Sequence, residues 1–387
     1  MNRAWKRWVP AAAVPALIAA GVLVGSIPAR AGDPLPEKSP AEVLALVGQH
    51  STKAFSGTIE QVSNLGLPEM PAGAPTSGPV SAGGPASIIE LLTGEHTARI
   101  FKDGASKMRV QVMDRLAERD LIRHDHDVWF YNSKDNSTAH LTLPAVAGDL
   151  PGQDGATPDQ PTKTFPTPED LAAKFLGKVD SSTAVTVGPE TQVAGRSAYS
   201  LELAPRTDGT LLAKVVIAVD GQTGMPLKVT VSARGQAKPA FEAGFTSLSL
   251  AAPEDATFNF VAPPGATVKE LQPPAVPPVS GLPGKPGMST RDHVPGAAEP
   301  GHHDGPKPTV TGTGWESVVG FPAAPDGQGA QLTQTVLKDP LLSQAAVVVP
   351  GGRLLSTALV NVLLTDDGRI FVGMVPAERL QAAAGAA

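Results

Sequence analysis

The chain has 387 residues, a formal net charge of −6 and no cysteine, and glycine (40) and proline (39) together approach a fifth of it. The charge and the lack of a basic block after the N-terminus argue against nucleic-acid binding, which needs a basic surface, and the lack of cysteine excludes disulfides, thiolate metal sites and cysteine nucleophiles. The length allows one large domain and a smaller one, and the glycine and proline content predicts long loops or linkers.

The N-terminus has the composition of an export signal. Residues 1–31 combine an early basic region, the apolar run "VPAAAVPALIAAGVLVGSI" and the small-residue motif "ARA" at Ala29–Ala31. The alternative is an uncleaved membrane anchor, since the apolar run is nearly long enough to span a bilayer. Either way, we expect the remainder of the chain to be extracytoplasmic.

Three helices are predicted from their N-terminal sequences. Ser39, Pro40 and Glu42 form a capping box that starts a helix running to about residue 53, and Thr167 with Asp170 repeats the pattern for a helix ending at Gly177. In such a box the cap hydroxyl and the carboxylate each accept a hydrogen bond from a free backbone amide of the other residue. "VPAERLQAAA" predicts a third short helix near the C-terminus.

Between the helices the hydrophobic period changes to two, which is typical of strands. Ten segments have this pattern: "FSGTIEQV", "HTARIFKDG", "KMRVQVM", "RDLIRHD", "DVWFYN", "TAHLTL", "SAYSLEL", "AKVVIAVD", "PLKVTVSA" and "FEAGFTSLSL". Turn pairs such as Asp103-Gly104 and Asp220-Gly221 separate many of them. The sequence therefore predicts an α+β fold with one large antiparallel sheet, which must bury one face on the helices or curl around a cavity.

Two segments lack any periodicity and divide the chain. Residues 71–87 predict a flexible surface insertion inside the first domain, which we assign to residues 32–262. Residues 263–312 predict a Pro/Gly-rich linker. Residues 313–387 follow as a small C-terminal α+β domain, in which Asp367-Gly368 predicts a hairpin.

Catalytic and metal-binding patterns are absent from the sequence. It contains no G-x-S-x-G, P-loop, dinucleotide fingerprint or H-E-x-x-H pattern, and we predict no catalytic residue and no cofactor. "HDHD" at 124–127 could ligate a metal, but it also lies where a hairpin must turn, and "GHHDG" lies in the predicted linker. We therefore predict no metal site.

Apolar residues at period two form the candidate binding surface. Ten strands offer more apolar face than two short helices can cover, which favours a ligand cavity with an aliphatic lining. For any single residue the alternative is ordinary core packing. The candidates are Phe55, Ile59, Met108, Val110, Trp129, Tyr131, Leu201, Leu203, Val229, Val231, Phe241 and Phe245.

The order of these elements resembles a known superfamily. A capped helix, "FSGTIEQV", "VWFYNSKDNSTAHLTLP", the "TPEDLAAKFLG" helix, "AVDGQTGMPLKVTV" and "FNFVAPPGATV" follow one another over residues 40–270, as in the LolA/LolB lipoprotein carriers and, more closely, their RseB/MucB branch. The segment "GGRLLSTALVNVLLTDDGRIFVGMVPAERLQAA" resembles the small second domain of RseB-type proteins, which LolA-type carriers lack.

The resemblance implies an unclosed β half-barrel with covering helices, a concave face that accepts lipid or lipoprotein acyl chains, and no catalysis. Either Trp129 and Tyr131 or Val128 and Phe130 line this face, and we favour the first pair. Two functions are open: an RseB-like regulator that docks on the extracytoplasmic part of an anti-sigma factor, or a carrier of lipid or lipoprotein. The 71–87 insertion and the long linker differ from the compact carriers.

Overall fold

A computed structural model describes residues 34–67, 94–113, 117–143, 165–271, 308–323 and 345–386. The predicted export signal (1–31), the predicted insertion (71–87) and "GHHDG" lie outside the described residues. The predicted linker (263–312) is described only at its two ends, and both ends contain a strand.

The helices begin where their capping sequences predict. Helix α1 (Pro40–Gln49) and helix α2 (Pro168–Leu176) each start with a complete capping box, on Ser39 and on Thr167. Helix α3 spans Ala377–Ala386. Helix α1 ends at Gln49, short of the predicted residue 53. No helix among the described residues is both long and apolar enough to cross a membrane.

Twelve strands form one large sheet, and the ten predicted strands are all among them. They are β1 (Ala54–Ser63), β2 (Gly94–Asp103), β3 (Lys107–Met113), β4 (Glu118–His124), β5 (Asp127–Asn132), β6 (Ser137–Thr142), β7 (Thr183–Val193), β8 (Arg196–Pro205), β9 (Leu212–Asp220), β10 (Pro226–Ala233), β11 (Phe241–Ser249) and β12 (Thr267–Leu271). Their order is β12-β6-β5-β4-β3-β2-β1-β11-β10-β9-β8-β7. All neighbours pair antiparallel except β12, which pairs parallel with β6.

The predicted fold class is confirmed. The sheet is open, since β12 and β7 stand at its opposite ends, and side chains from β1 to β6 and from β11 join one buried cluster. Such a sheet curls around its own apolar side as an unclosed half-barrel. Helix α1 contacts β7 and β8, and helix α2 contacts mainly β10 and β11.

The small C-terminal α+β domain is a six-stranded sheet with helix α3 packed on it. Its strands are β13 (Thr309–Thr311), β14 (Val318–Phe321), β15 (Val347–Val349), β16 (Gly352–Ser356), β17 (Asn361–Thr365) and β18 (Ile370–Gly373), in the order β13-β14-β18-β17-β16-β15. Leu380 of α3 packs with Leu363 and Phe371 in its core. The predicted hairpin joins β17 and β18, with Gly368 at φ 85°.

The two sheets touch at several places, among them the loop between β8 and β9 and the start of β7. Leu211 N–H donates to Met374 O at 2.8 Å, and the Thr207 hydroxyl and Arg379 both donate to the Glu316 carboxylate. The Trp315 indole N–H donates to Thr183 Oγ1 at 2.8 Å. This contact is polar and hydrogen-bonded, whereas the cores of the two sheets are apolar.

Candidate functional site

The candidate site is the apolar face of the large sheet, defined as the side that carries the buried cluster around Phe55, Val110 and Phe245. In an antiparallel sheet, directly paired residues project to the same side, so the strand registers define this face. Three cross-strand rows cover its first half: Phe55–Lys102–Met108–Arg123–Val128–Leu141, Gly57–Ile100–Val110–Leu121–Phe130–Ala139 and Ile59–Ala98–Val112–Arg119–Asn132–Ser137.

The face continues across β11 into the second half of the sheet. Gln61 pairs with Ala243, which pairs with Val229, then Ile217 and Leu201. The register shift between Thr58 and Ile59 changes which β11 residues face inward, so that Phe245 is followed by Leu248 and Leu250 in the cluster. A local bulge of this kind also bends the strand and increases its twist.

Ten of the twelve predicted site residues lie on this face. Phe55, Ile59, Met108, Val110 and Phe245 belong to one cluster. Leu201, Leu203, Val229, Val231 and Phe241 lie on β8, β10 and β11 and are at most 6% exposed. Met108 alone of the ten is half-buried. That these residues line a ligand cavity remains a prediction, since most of them are buried as core residues.

The preference for Trp129 and Tyr131 is wrong, because Val128 and Phe130 of the same strand belong to the apolar cluster. Trp129 and Tyr131 project to the opposite side. Trp129 stacks on the His140 ring at a centroid distance of 3.9 Å. The Phe260 ring packs against the rings of Trp129 and Tyr131. Trp129 and Tyr131 therefore lie on the outer side of the sheet, where they pack against the segment that precedes β12.

His140 lies in a polar network on that outer side. Its two ring nitrogens lie 3.0 Å from Asp127 Oδ1 and 3.0 Å from Glu270 Oε2. Because Glu270 belongs to β12 and Asp127 to β5, the network joins the edge strand to the sheet. Asp127 of the "HDHD" segment belongs to this network. No group of three or more His, Asp or Glu side chains is placed to hold a metal ion in the part of the chain that the structure describes.

Buried ion pairs also lie away from the apolar face. Arg109 Nη2 is 2.7 Å from Asp120 Oδ2, and burial raises the pKa of Asp120 against the lowering effect of Arg109. Burial also acts to raise the pKa of Asp220, but the hydrogen bonds from Arg196 and Thr223 outweigh it and hold that pKa below its usual value. The Asp120 carboxylate thus joins β4 to β3, and the Asp220 carboxylate joins β9 to β8 and holds the β9–β10 turn.

The turn between β9 and β10, which follows Asp220, also positions helix α1. Gly224 has φ 75°, and a Cβ there would lie 2.2 Å from Leu46 O. Only glycine permits both this left-handed conformation and this contact. The helix backbone therefore rests directly on the β9–β10 turn, at the end of the sheet away from β2–β6.

Sequence reasoning missed the polar residues of the apolar face. Gln61 is 1% exposed within it. Lys102 and Arg123 lie in the first of its three cross-strand rows, and Arg119 lies in the third. Strand alternation places Lys102 with Ile100, and Arg119 and Arg123 with Leu121, so the signal was present. Without the registers, however, the sequence could not show that these side chains share a face across three strands.

The fold is thus an open antiparallel half-barrel joined to a small α+β module.

The chain matches no family model and no curated protein. Among solved structures, it is similar to the Pseudomonas aeruginosa MucA/MucB complex (17% identity, 89% of this chain and 96% of that chain, TM-score 0.39). It is also similar to a LolA-superfamily protein from Nitrosomonas europaea (11% identity, 58% and 99%, TM-score 0.22). An uncharacterised conserved protein from Thermus thermophilus matches at 12% identity over 60% and 98%, with a TM-score of 0.32. Two of these structures are of the kinds that the sequence resemblance named, and at these identities and TM-scores they assign no family to this chain.

Proposed function

We propose that this chain is a non-enzymatic extracytoplasmic protein that binds the acyl chains of lipid or lipoprotein on the apolar face, and that it acts as an RseB-like regulator of an anti-sigma factor. The observation that carries the proposal is the extent of the face, which runs from β6 through β1 and β11 to β8. On strands β1–β6 this face holds no carboxylate, so it offers no paired acid and base.

The area of the face exceeds what the helices can cover. Ten strands at a spacing of about 4.8 Å span about 48 Å, whereas a helix of ten residues is about 15 Å long and about 10 Å wide. Helices α1 and α2 contact mainly β7, β8, β10 and β11. We place the entry of an acyl chain at the β2–β6 half of the face, which these helices contact least and where Met108 and Phe130 are half-buried.

The energetics suit a flexible apolar ligand. Burying a methylene contributes about 0.8 kcal/mol, so a long chain of about 15 methylenes supplies about 12 kcal/mol, and an association cost of about 4 kcal/mol leaves about 8 kcal/mol. Phe165 belongs to the cluster, Leu248 and Leu250 pack against it, and a ligand must displace some of these contacts. We therefore expect micromolar affinity.

The regulatory part of the proposal follows from the second module. A simple carrier needs only the half-barrel, whereas here a second sheet is hydrogen-bonded to the β8–β9 loop of the first. A protein partner could then be contacted by one module while the other holds lipid. The alternative function, a carrier of lipid or lipoprotein without a regulatory role, needs no partner protein.

The test uses the mature chain purified without detergent. Native mass spectrometry should show an acyl-chain adduct, and the extracytoplasmic segment of a genetically neighbouring anti-sigma protein should bind the chain with an affinity that changes when lipid is added. Lipid binding without any effect on that segment, together with transfer of lipid to acceptor vesicles, would favour the carrier. A protein that binds no acyl chain contradicts both functions.

A further inference from the structure

The charged residues of strands β1–β6 are sorted between the two sides of the sheet. Every carboxylate of these strands lies on the outer side, opposite the apolar face: Glu60, Glu95, Asp103, Glu118, Asp120 and Asp127. The charged residues on the apolar face are Lys102, Arg119 and Arg123, all basic. The described part of the face therefore has a single sign of charge.

Lys102 and Arg123 lie in the same cross-strand row, on either side of Met108. Phe55 (3% exposed) and Val128 (4% exposed) continue the row on its two sides. Because neighbouring strands are about 4.8 Å apart, the two basic residues start about 10 Å apart, and their long side chains can converge over Met108. Both are half-buried.

Neither cation is neutralised within the described residues. The Lys102 side chain makes no ion pair or hydrogen bond with them, and the Arg123 side chain donates only from Nε, to the backbone oxygen of Asp125 at 3.2 Å. By contrast, Lys107 and Arg109, the basic residues of β3 on the outer side, are paired with Asp255 and Asp120. These two basic side chains of the outer side thus have acidic partners on the protein itself.

We infer that Lys102 and Arg123 form a site for the anionic headgroup of an amphiphile whose acyl chain lies on the apolar face. This inference rests on the proposed function and adds the class of ligand: a single-chain or acylated molecule with a carboxylate or phosphate group. The two residues stand next to the β2–β3 and β4–β5 turns, at the rim of the sheet, while the uncharged row through Val110 and Leu121 lies deeper. A headgroup at the rim stays accessible to water while the chain is buried.

The chemistry favours an anion at this position. Guanidinium and ammonium groups make charge-assisted hydrogen bonds to carboxylate and phosphate oxygens, which are stronger than bonds between neutral groups. A cationic headgroup would be repelled, and a neutral one would leave both charges without a partner. The preference should weaken with salt, because the site is only half-buried.

The test compares dodecanoate with methyl dodecanoate as competitors of a bound fluorescent fatty acid, since the two ligands share one acyl chain and the ester removes the headgroup charge. We expect the wild type to bind the anion at least tenfold more tightly. The variant Lys102→Gln/Arg123→Gln should lose this preference and bind the ester within about threefold of the wild type. Arg99→Gln is the matched control, an exposed cation of β2 on the outer side, and should retain the preference.

The outcomes separate this inference from the proposed function. Equal binding of acid and ester by the wild type, or a preference that persists in the double variant at an unchanged melting temperature, overturns the headgroup site and leaves acyl binding standing. If the wild type binds neither ligand, acyl binding itself is overturned, and the headgroup site with it.

Discussion

Gly57 and Gly48 are two glycines with opposite surroundings. A Cβ at Gly57 would lie 2.6 Å from Ser247 O and 2.8 Å from the Phe245 ring, whereas a Cβ at Gly48 in helix α1 meets nothing within 4 Å. The Phe245 ring, packed edge-on against Phe55 at a centroid distance of 5.9 Å, takes the space that a side chain at position 57 would fill. The shape of the apolar face thus depends partly on the absence of a side chain at Gly57.

Gly57→Val should therefore destabilise the fold by about 1–3 kcal/mol, since overpacking forces the Phe245 ring or the β11 backbone to move. Gly48→Ala should be neutral or stabilise by up to about 1 kcal/mol, because alanine has the higher helix propensity. Urea unfolding of both variants measures the difference. A Gly57→Val protein as stable as the wild type would show that the face is more loosely packed than the structure indicates.

The strands show what sequence patterns can and cannot predict. Ten strands and the two helix starts at Ser39 and Thr167 followed from local alternation and capping, which depend only on neighbouring residues. Strand β7 was missed because Pro189 and Glu190 interrupt its alternation at a register shift, which an edge strand tolerates. Strand β12 was missed because it pairs with β6, far away in the chain, and lies among prolines and glycines.

The site was harder to predict than the fold for the same reason. Alternation shows that Val128 and Phe130 share one side and Trp129 and Tyr131 the other, but not which side is the core. That choice depends on the registers from β1 to β6, which are tertiary information. The wrong preference for Trp129 and Tyr131 came from treating aromatic residues as cavity lining, whereas they pack on Phe260 outside the sheet.

Strand β12 should depend on the His140 network for its attachment. The strand is short and parallel, with all but its last residue exposed, and the contact of Glu270 with His140 joins it to β6. His140→Asn should increase amide hydrogen exchange in β12 by about tenfold while leaving β3 and β4 unchanged. His124→Asn is the control, because the nearest carboxylate oxygens of His124 lie 3.9 and 4.0 Å away. Unchanged exchange in β12 would contradict this role for His140.

At the scale of the whole molecule, Glu316 joins the two sheets and makes their contact sensitive to acid. The Thr207 hydrogen bond, together with Arg379 and against the effect of burial, holds the pKa of Glu316 below its usual value. A carboxyl with a lower pKa in the folded state stabilises the contact above its unfolded pKa of about 4.3. That contribution is lost as the pH falls through the folded pKa.

Lowering the pH below about 4.3 should therefore loosen the contact between the sheets, and Glu316→Gln should show the loosening at neutral pH. The Trp315 indole, 6% exposed and hydrogen-bonded to Thr183, reports on this contact by fluorescence. Subtracting the spectrum of Trp315→Phe isolates its signal. A Trp315 spectrum that stays the same in Glu316→Gln would show that the carboxylate does not hold the sheets together.

The central claim is that acyl chains bind on the apolar face, and a titration of the mature chain with a fluorescent long-chain fatty acid tests it most directly. Two variants place the same charge on opposite sides of neighbouring parts of the sheet: Phe130→Glu on the apolar face and Phe101→Glu on the outer side, both at half-buried positions. We expect micromolar binding by the wild type and by Phe101→Glu, and at least tenfold weaker binding by Phe130→Glu, with both variants folded by thermal unfolding. Equal binding by the two folded variants, or no binding by the wild type, would contradict the claim.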